Sequence, residues 1–220
     1  QGSNTTYVEF RLARAAEPIS LEVRPLCAHR DYHSQQRGQR DFSIESLGSG
    51  VRVAAVGSDP AYRILAERGE FHAAPDWYWN FRHRVEAERG LDAVEDLFVP
   101  GRFTLTLAPG ESVALVLTAD NGALETAARV RELALSTDLD LVRGLAADTP
   151  GWVRQLTLAA DQFLVTRRGD DGTTGTTVIA GYPWFTDWGR DTMIALPGLA
   201  LATGRFETAA DILRTFARHV

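Results

Sequence analysis

The stretch Ala180-Gly-Tyr-Pro-Trp-Phe-Thr-Asp-Trp-Gly-Arg-Asp-Thr-Met-Ile-Ala-Leu-Pro-Gly198 gathers the side chains best suited to chemistry. Trp184, Phe185 and Trp188 stand with Asp187, Arg190 and Asp191 at one loop-to-helix junction. That mixture suits a pyranose, whose C–H face packs on an aromatic ring and whose rim of hydroxyls meets charged hydrogen-bonding groups. With a helix starting near Trp188, Asp187 is its expected N-cap, and Asp191 falls in the first turn, where the helix dipole favours negative charge. Arg190 and Asp191 are adjacent, so they point about 100° apart and each is expected to need its own partner. Two sugar hydroxyls would supply those partners, each charge-assisted bond contributing about 1.5–3 kcal/mol. The structural alternative makes the aromatics core residues, pairs Arg190 with another carboxylate and has Asp191 cap backbone. On the residues alone both readings stand.

Positioning such a junction requires a framework, and the apolar spacing indicates two kinds. Up to about Asp120, apolar residues recur at every second position: Val8-Phe10-Leu12, Ile19-Leu21-Val23, Val51-Val53-Ala55, Phe103-Leu105-Leu107 and Val113-Leu115-Leu117. These predict half-buried strands packed as an antiparallel β-sandwich. Ala108-Pro109-Gly110-Glu111 joins the last two runs, and its Pro-Gly chemistry predicts a hairpin. Past Asn121 the period changes. Leu124, Ala127, Ala128, Arg131 and Leu135 indicate a helical connector, and Asp148-Thr149-Pro150-Gly151 breaks it.

From Trp152 onward the pattern reads as helical throughout. One stripe is Trp152, Leu156, Ala159, Ala160 and Phe163, and another is Phe206, Ala209, Ala210, Leu213, Phe216 and Ala217. Between them Met193 to Leu201 is apolar on nearly every side, which predicts an enveloped helix, with Gly204 as its stop. An enveloped helix followed by an amphipathic one fits an inner and outer pair of an α/α barrel or an ordinary bundle. The stretch Arg167 to Thr177 is Gly-rich and polar, a loop or hairpin without the spacing of a phosphate-binding loop. The domains are therefore placed at 1–120 for the sandwich, 121–150 for a helical linker and 151–220 for the helical part.

Composition narrows the function. The chain has 220 residues, is 45% hydrophobic and carries a formal net charge of -6 with no basic block. That balance argues against a nucleic-acid partner, and no apolar run reaches the roughly 18 to 20 residues of a membrane span. A globular, soluble chain acting on neutral substrates is expected. Cys27, the single cysteine, sits in an apolar stretch and reads as a small core residue, compatible with a reducing cytoplasm. Glu86, Glu88, Asp92, Glu95 and Asp96 lack convergent spacing and read as a solvated face, so no metal is expected. The five histidines show no zinc spacing, and only His33 is a candidate for lining a site. Trp77 and Trp79 alternate onto one sheet face, where packing is preferred over glucan binding.

The junction itself, Gly181 to Gly198, closely resembles the signature that opens the glucosidase domain of prokaryotic glycogen debranching enzymes, the amylo-α-1,6-glucosidase family. Upstream, Leu26 with Arg30-Asp31-Tyr32-His33-Ser34, then Asp76-Trp77-Tyr78, Glu86-Ala-Glu-Arg-Gly-Leu91 and Glu95-Asp96-Leu97-Phe98, resemble that family's N-terminal domain. The resemblance implies a β-sandwich followed by the first helices of an (α/α)6 barrel, here truncated. It further implies that Trp184, Trp188, Arg190 and Asp191 bind a terminal glucose of glycogen or a branched α-glucan. Hydrolysis would then invert the anomeric centre, using an acid and a base expected beyond Val220, so no catalytic residue is assigned and the chain alone is expected to be inactive. No cofactor is implied, and the location is expected to be cytoplasmic. Another glucoamylase-like α-glucosidase and a non-catalytic glucan-binding module remain as alternatives.

Overall fold

Alternating apolar residues build two antiparallel sheets in the first of two compact units, Ser3–Ala128. The computed structural model describes residues 3–31, 33–38, 41–57, 60–169, 172–181 and 185–218. The strands of this unit are β1 (Thr5–Arg11), β2 (Ile19–Val23), β3 (Phe42–Leu47), β4 (Gly50–Ala55), β5 (Tyr62–Ala66), β6 (Glu70–Arg82), β7 (Val94–Leu107) and β8 (Ser112–Thr118), with a short helix α1 (Arg84–Glu88) between β6 and β7. One sheet has the order β1-β8-β5-β4-β3 and the other β2-β7-β6. Val51, Val53, Ile64, Phe103, Leu105, Leu107 and Val113 are each no more than 2% exposed, and they form one core contributed by both sheets. Burying a side chain of this size contributes about 1.5–3 kcal/mol, so this shared core is what holds the layers together.

The expected hairpin between β7 and β8 does not form. The turn itself closes, with the Glu111 N–H donating to Ala108 O at 3.0 Å and Gly110 at φ +85°. The two strands then part into different sheets: β7 pairs with β2 and β6, and β8 with β1 and β5. The reason is the parallel course of the other connection. Arg11 lies opposite Ser112 and Ile19 opposite Leu107, so β1 and β2 cross between the sheets beside β8 and β7. Hydrogen bonds from Leu12 N–H to Glu111 O and from Gly110 N–H to Leu12 O join the two crossings. Turn chemistry specifies the bend and leaves the partner open.

Two of the acids read as solvated are buried. Glu95 is 1% exposed and Asp96 7%. Arg30 grips Glu95 with both arms, Nε to Oε2 at 2.7 Å and Nη2 to Oε1 at 2.9 Å, and His83 Nε2 lies 2.7 Å from Oε1. Burial would push the Glu95 carboxyl up, but Arg30, His83 and the Gln36 N–H outweigh it and bring it down to about 2. Asp96 accepts the backbone N–H groups of Asn80 and Gly38 at 2.8 Å each, which hold its carboxyl below the usual range. Asn80 has φ +57° within a register shift of β6, so Asp96 pins an irregular strand. These carboxylates are structural anchors, while Glu88 and Asp92 are exposed as expected. Cys27 is buried and exchanges backbone hydrogen bonds with Phe98, and burial raises its thiol to about 11, as suits a small core residue.

The second unit, from Arg129 on, takes over within helix α2 (Ala127–Arg143). It continues with α3 (Gly151–Asp161), β9 (Leu164–Arg168), β10 (Thr174–Gly181), β11 (Phe185–Asp187), α4 (Gly189–Leu196), a π-helical turn (Pro197–Leu201) and α5 (Phe206–Ala217). The reading of this region as helical throughout is corrected by a three-stranded antiparallel sheet, β11-β10-β9. Its Thr- and Val-rich strands carry β-branched residues whose preference for a pleated surface a helical stripe search passes over. β9 and β10 pair as an antiparallel hairpin, with the Gly169 N–H donating to Thr173 O at 2.8 Å.

Leu164, Val178, Leu196, Ala200, Ala209 and Ile212 make this unit's core. The buried face of α5 is Ala209, Ile212 and Thr215, rotated from the expected stripe, whose Phe206 is 66% exposed. A close approach explains the rotation: a Cβ on Gly175 of β10 would collide with Thr215 Oγ1, so only small side chains fit where helix meets strand. Over Met193 to Leu201 the residues of this unit cover one side only: Leu196 and Ala200 are buried, whereas Ile194 is 73% exposed. Pro197, which lacks an N–H, stands where the α-helical ladder gives way to the π turn, and Gly204 at φ +74° ends the run.

Candidate functional site

The junction is set by a cross-strand lock. β10 and β11 pair with Ile179 opposite Asp187 and Gly181 opposite Phe185. Asp187 lies on the sheet, where its Oδ2 accepts from Arg167 Nη1 at 2.6 Å and from Thr177 Oγ1 at 2.9 Å. It is therefore not the N-cap. That position belongs to Trp188, in extended conformation and without a side-chain cap, and α4 starts one residue later. The physical reason is competition: a guanidinium and a hydroxyl offer Asp187 stronger partners than the orphan N–H groups of the helix. Nothing in the local sequence around Asp187 names Arg167, 20 residues upstream.

Four residues were expected to meet a sugar here. Trp184 lies outside the described residues. Trp188 packs edge-on against Phe185, ring centroids 5.4 Å apart, and is 47% exposed. Asp191 occupies the first turn of α4, where the helix dipole favours its charge. Asp191 lines a cavity of about 370 Å³, with Phe163, Val178, Ala180, Ile194 and Leu199 among the other lining residues. Trp188 and Arg190 are not among the residues lining that cavity. The expectation that Arg190 and Asp191 diverge to separate partners is corrected, since Arg190 Nη2 lies 3.6 Å from Asp191 Oδ2. The guanidinium's long stem lets it curl back across the 100° or so that separates neighbours on a helix. Arg190 is 78% exposed at its side chain and Asp191 40%, so the pair is loose and contributes about 0–1 kcal/mol.

The cavity presents an apolar lining with Asp191 as its one acidic residue among those described, and the loosely paired Arg190 guanidinium is not part of that lining. Glycoside hydrolysis takes two carboxyl groups across the scissile bond, and Asp191 is the single one among the described lining residues. His33, the histidine singled out from sequence, is exposed and has its Nδ1 3.4 Å from Asp31 Oδ1.

A family model described as glycogen debranching enzyme N terminal matches residues 1–114, and one described as amylo-alpha-1,6-glucosidase matches residues 158–220. No curated protein and no solved structure matches the chain.

Proposed function

Because the chain belongs to the glycogen debranching enzyme family, we propose that it handles substrate for an amylo-alpha-1,6-glucosidase, with Trp184, Trp188, Arg190 and Asp191 holding the terminal glucose beside an α-1,6 branch bond. The observation that carries this reading is Asp191, half-exposed in the first turn of α4 and lining an apolar cavity of about 370 Å³. The weak contact with Arg190 is readily exchanged for hydroxyl partners, and Trp188 keeps a free ring surface. The amylo-alpha-1,6-glucosidase match over 158–220 includes all four positions.

On this reading α3, α4 with its π turn, and α5 are the first helices of an (α/α)6 barrel, and residues 121–150 link it to the sandwich of residues 1–120. The exposed Ile194, Trp152 and Phe206 support further helices packing against them. Hydrolysis with inversion places a general acid and a general base about 6.5–9.5 Å apart, and we assign both to residues beyond Val220. The polymer is glycogen or a branched α-glucan, and the compartment the cytoplasm; no described helix is long and apolar enough to cross a membrane.

Glucose release from a branched limit dextrin tests the assignment. In the full-length parent, Asp191→Asn removes a charged acceptor, and kcat/KM is expected to fall about 10- to 100-fold. Unchanged kcat/KM would remove Asp191 from the site. The 220-residue chain alone is expected to release no glucose, and turnover by it would overturn the placement of acid and base.

A further inference from the structure

The sandwich unit carries a second place where indole, carboxylate and cavity meet. β6 is an edge strand, and its register shifts between Ala73 and Asp76, at Pro75. A bulge of this kind re-aims the side chains that follow it, here Asp76 and Trp77. Trp77 packs on Phe42 and Phe98, with ring centroids 5.9 and 5.7 Å away, so the core fixes its orientation. Trp79 then stacks on Trp77 at 5.3 Å with 20° between the planes, and it is 52% exposed. The aromatic row thus runs out of the core and ends in solvent. Beside Trp77 lies a cavity of about 270 Å³ whose lining includes Asp41, Phe42, Asp76 and Phe98. That is just under the range of about 300–1,000 Å³ for drug-sized ligands and suits a single ring.

We infer that this cavity is an accessory sugar site, taking one residue of a linear α-1,4-glucan segment with Trp77 as its aromatic wall and Asp41 and Asp76 as hydroxyl acceptors, while the exposed Trp79, outside the lining, extends the aromatic row for a neighbouring sugar. The described lining residues include two carboxylates and no cation, which disfavours anionic ligands, and an aliphatic ligand would leave both acids unused. A neutral, polyhydroxylated ring uses both kinds of wall. Asp76 Oδ1 accepts the backbone N–H of Trp77 at 2.7 Å, which orients the carboxylate and leaves its other oxygen for a ligand. The glucan is named because the chain belongs to a family of enzymes of glycogen, and the inference does not rest on the assignment at Trp188, Arg190 and Asp191.

Calorimetric titration of the 220-residue chain with maltoheptaose separates the two sites. A chain carrying Trp188→Ala and Asp191→Asn is expected to keep binding, and adding Asp76→Ala with Trp79→Ala to that chain is expected to weaken it about tenfold or more at unchanged melting temperature. Asp41→Asn in the same background, which alters one atom at the cavity, is expected to weaken binding in the same direction and guards against a folding defect in the combined variant. Absence of binding in the Trp188→Ala, Asp191→Asn chain would overturn the inference. So would binding that Asp41→Asn and the combined variant both leave untouched, including the case where Trp79 is covered by protein in solution.

Discussion

Arg30 and His83 reach Glu95 from 65 and 12 residues away in sequence, and between them they make a buried carboxylate tolerable. A bidentate guanidinium satisfies both oxygens in one plane, a geometry that a lysine in place of Arg30 would not reproduce. The consequence is a pH dependence with a fixed sign. Glu95 titrates near 2 in the folded chain against an ordinary 4.5, so the folded state holds its proton less tightly than the unfolded one. Its stabilising contribution is fully present above pH 4.5 and is lost as pH falls towards 2. Replacing Arg30 by Ala leaves the carboxylate with His83 and backbone alone, raising its pKa and costing about 3–5 kcal/mol. Circular dichroism followed against pH should show the Arg30→Ala sandwich unfolding in acid at a higher pH than the parent. Coincident acid transitions would show that this ion pair is not what sets acid stability.

At the level of elements, the tightest constraint is where β10 passes under α5. Gly175 faces Thr215, which is 4% exposed and already donates its hydroxyl to Asp211 O at 2.9 Å. A methyl group there must displace Thr215 or lift the helix, and overpacking of this kind costs about 1–3 kcal/mol. Gly175→Ala should lower the melting temperature, and Gly175→Ala with Thr215→Ala should recover much of the loss; a double variant no more stable than the single one would place the strain elsewhere. This contact also shows what could be read in advance. Alternation in β1, β2, β4, β8 and the end of β7 was legible because one face of each is a run of apolar residues, chiefly Val, Leu, Ile and Phe. The sheet β11-β10-β9 was not, because the buried positions of its central strand β10 are Gly175, Thr177 and Val178, and α5, more than 30 residues downstream, covers Gly175. The β7–β8 crossing was hidden for a related reason: Pro109-Gly110 gives the same turn whether the strands pair or part. In the candidate site the side-chain types and the start of α4 near Trp188 were legible, whereas the lock on Asp187 and the curl of Arg190 depend on partners and torsions that spacing does not encode.

For the chain as a whole, apolar exposure is uneven. In the unit from Arg129 on, Ile194 is 73% exposed, Trp152 67%, Phe206 66%, Leu139 64% and Leu156 59%, whereas the sandwich closes its largest core residues almost completely. Single exposed apolar residues are ordinary, but five large ones on α2, α3, α4 and α5 in under 70 residues leave considerable apolar area in water. Each fully exposed side chain of this size forgoes about 1.5–3 kcal/mol of burial, a driving force that association between chains can recover. The 220-residue chain is therefore expected to self-associate at micromolar concentrations, as read by size-exclusion chromatography with light scattering. Ile194→Glu with Phe206→Glu should shift it towards monomer without loss of the sandwich's circular dichroism signal, because neither residue belongs to either core. A parent chain that elutes as a clean monomer across that range would mean these side chains are shielded in solution, and the same result would weaken the case for further barrel helices against α4.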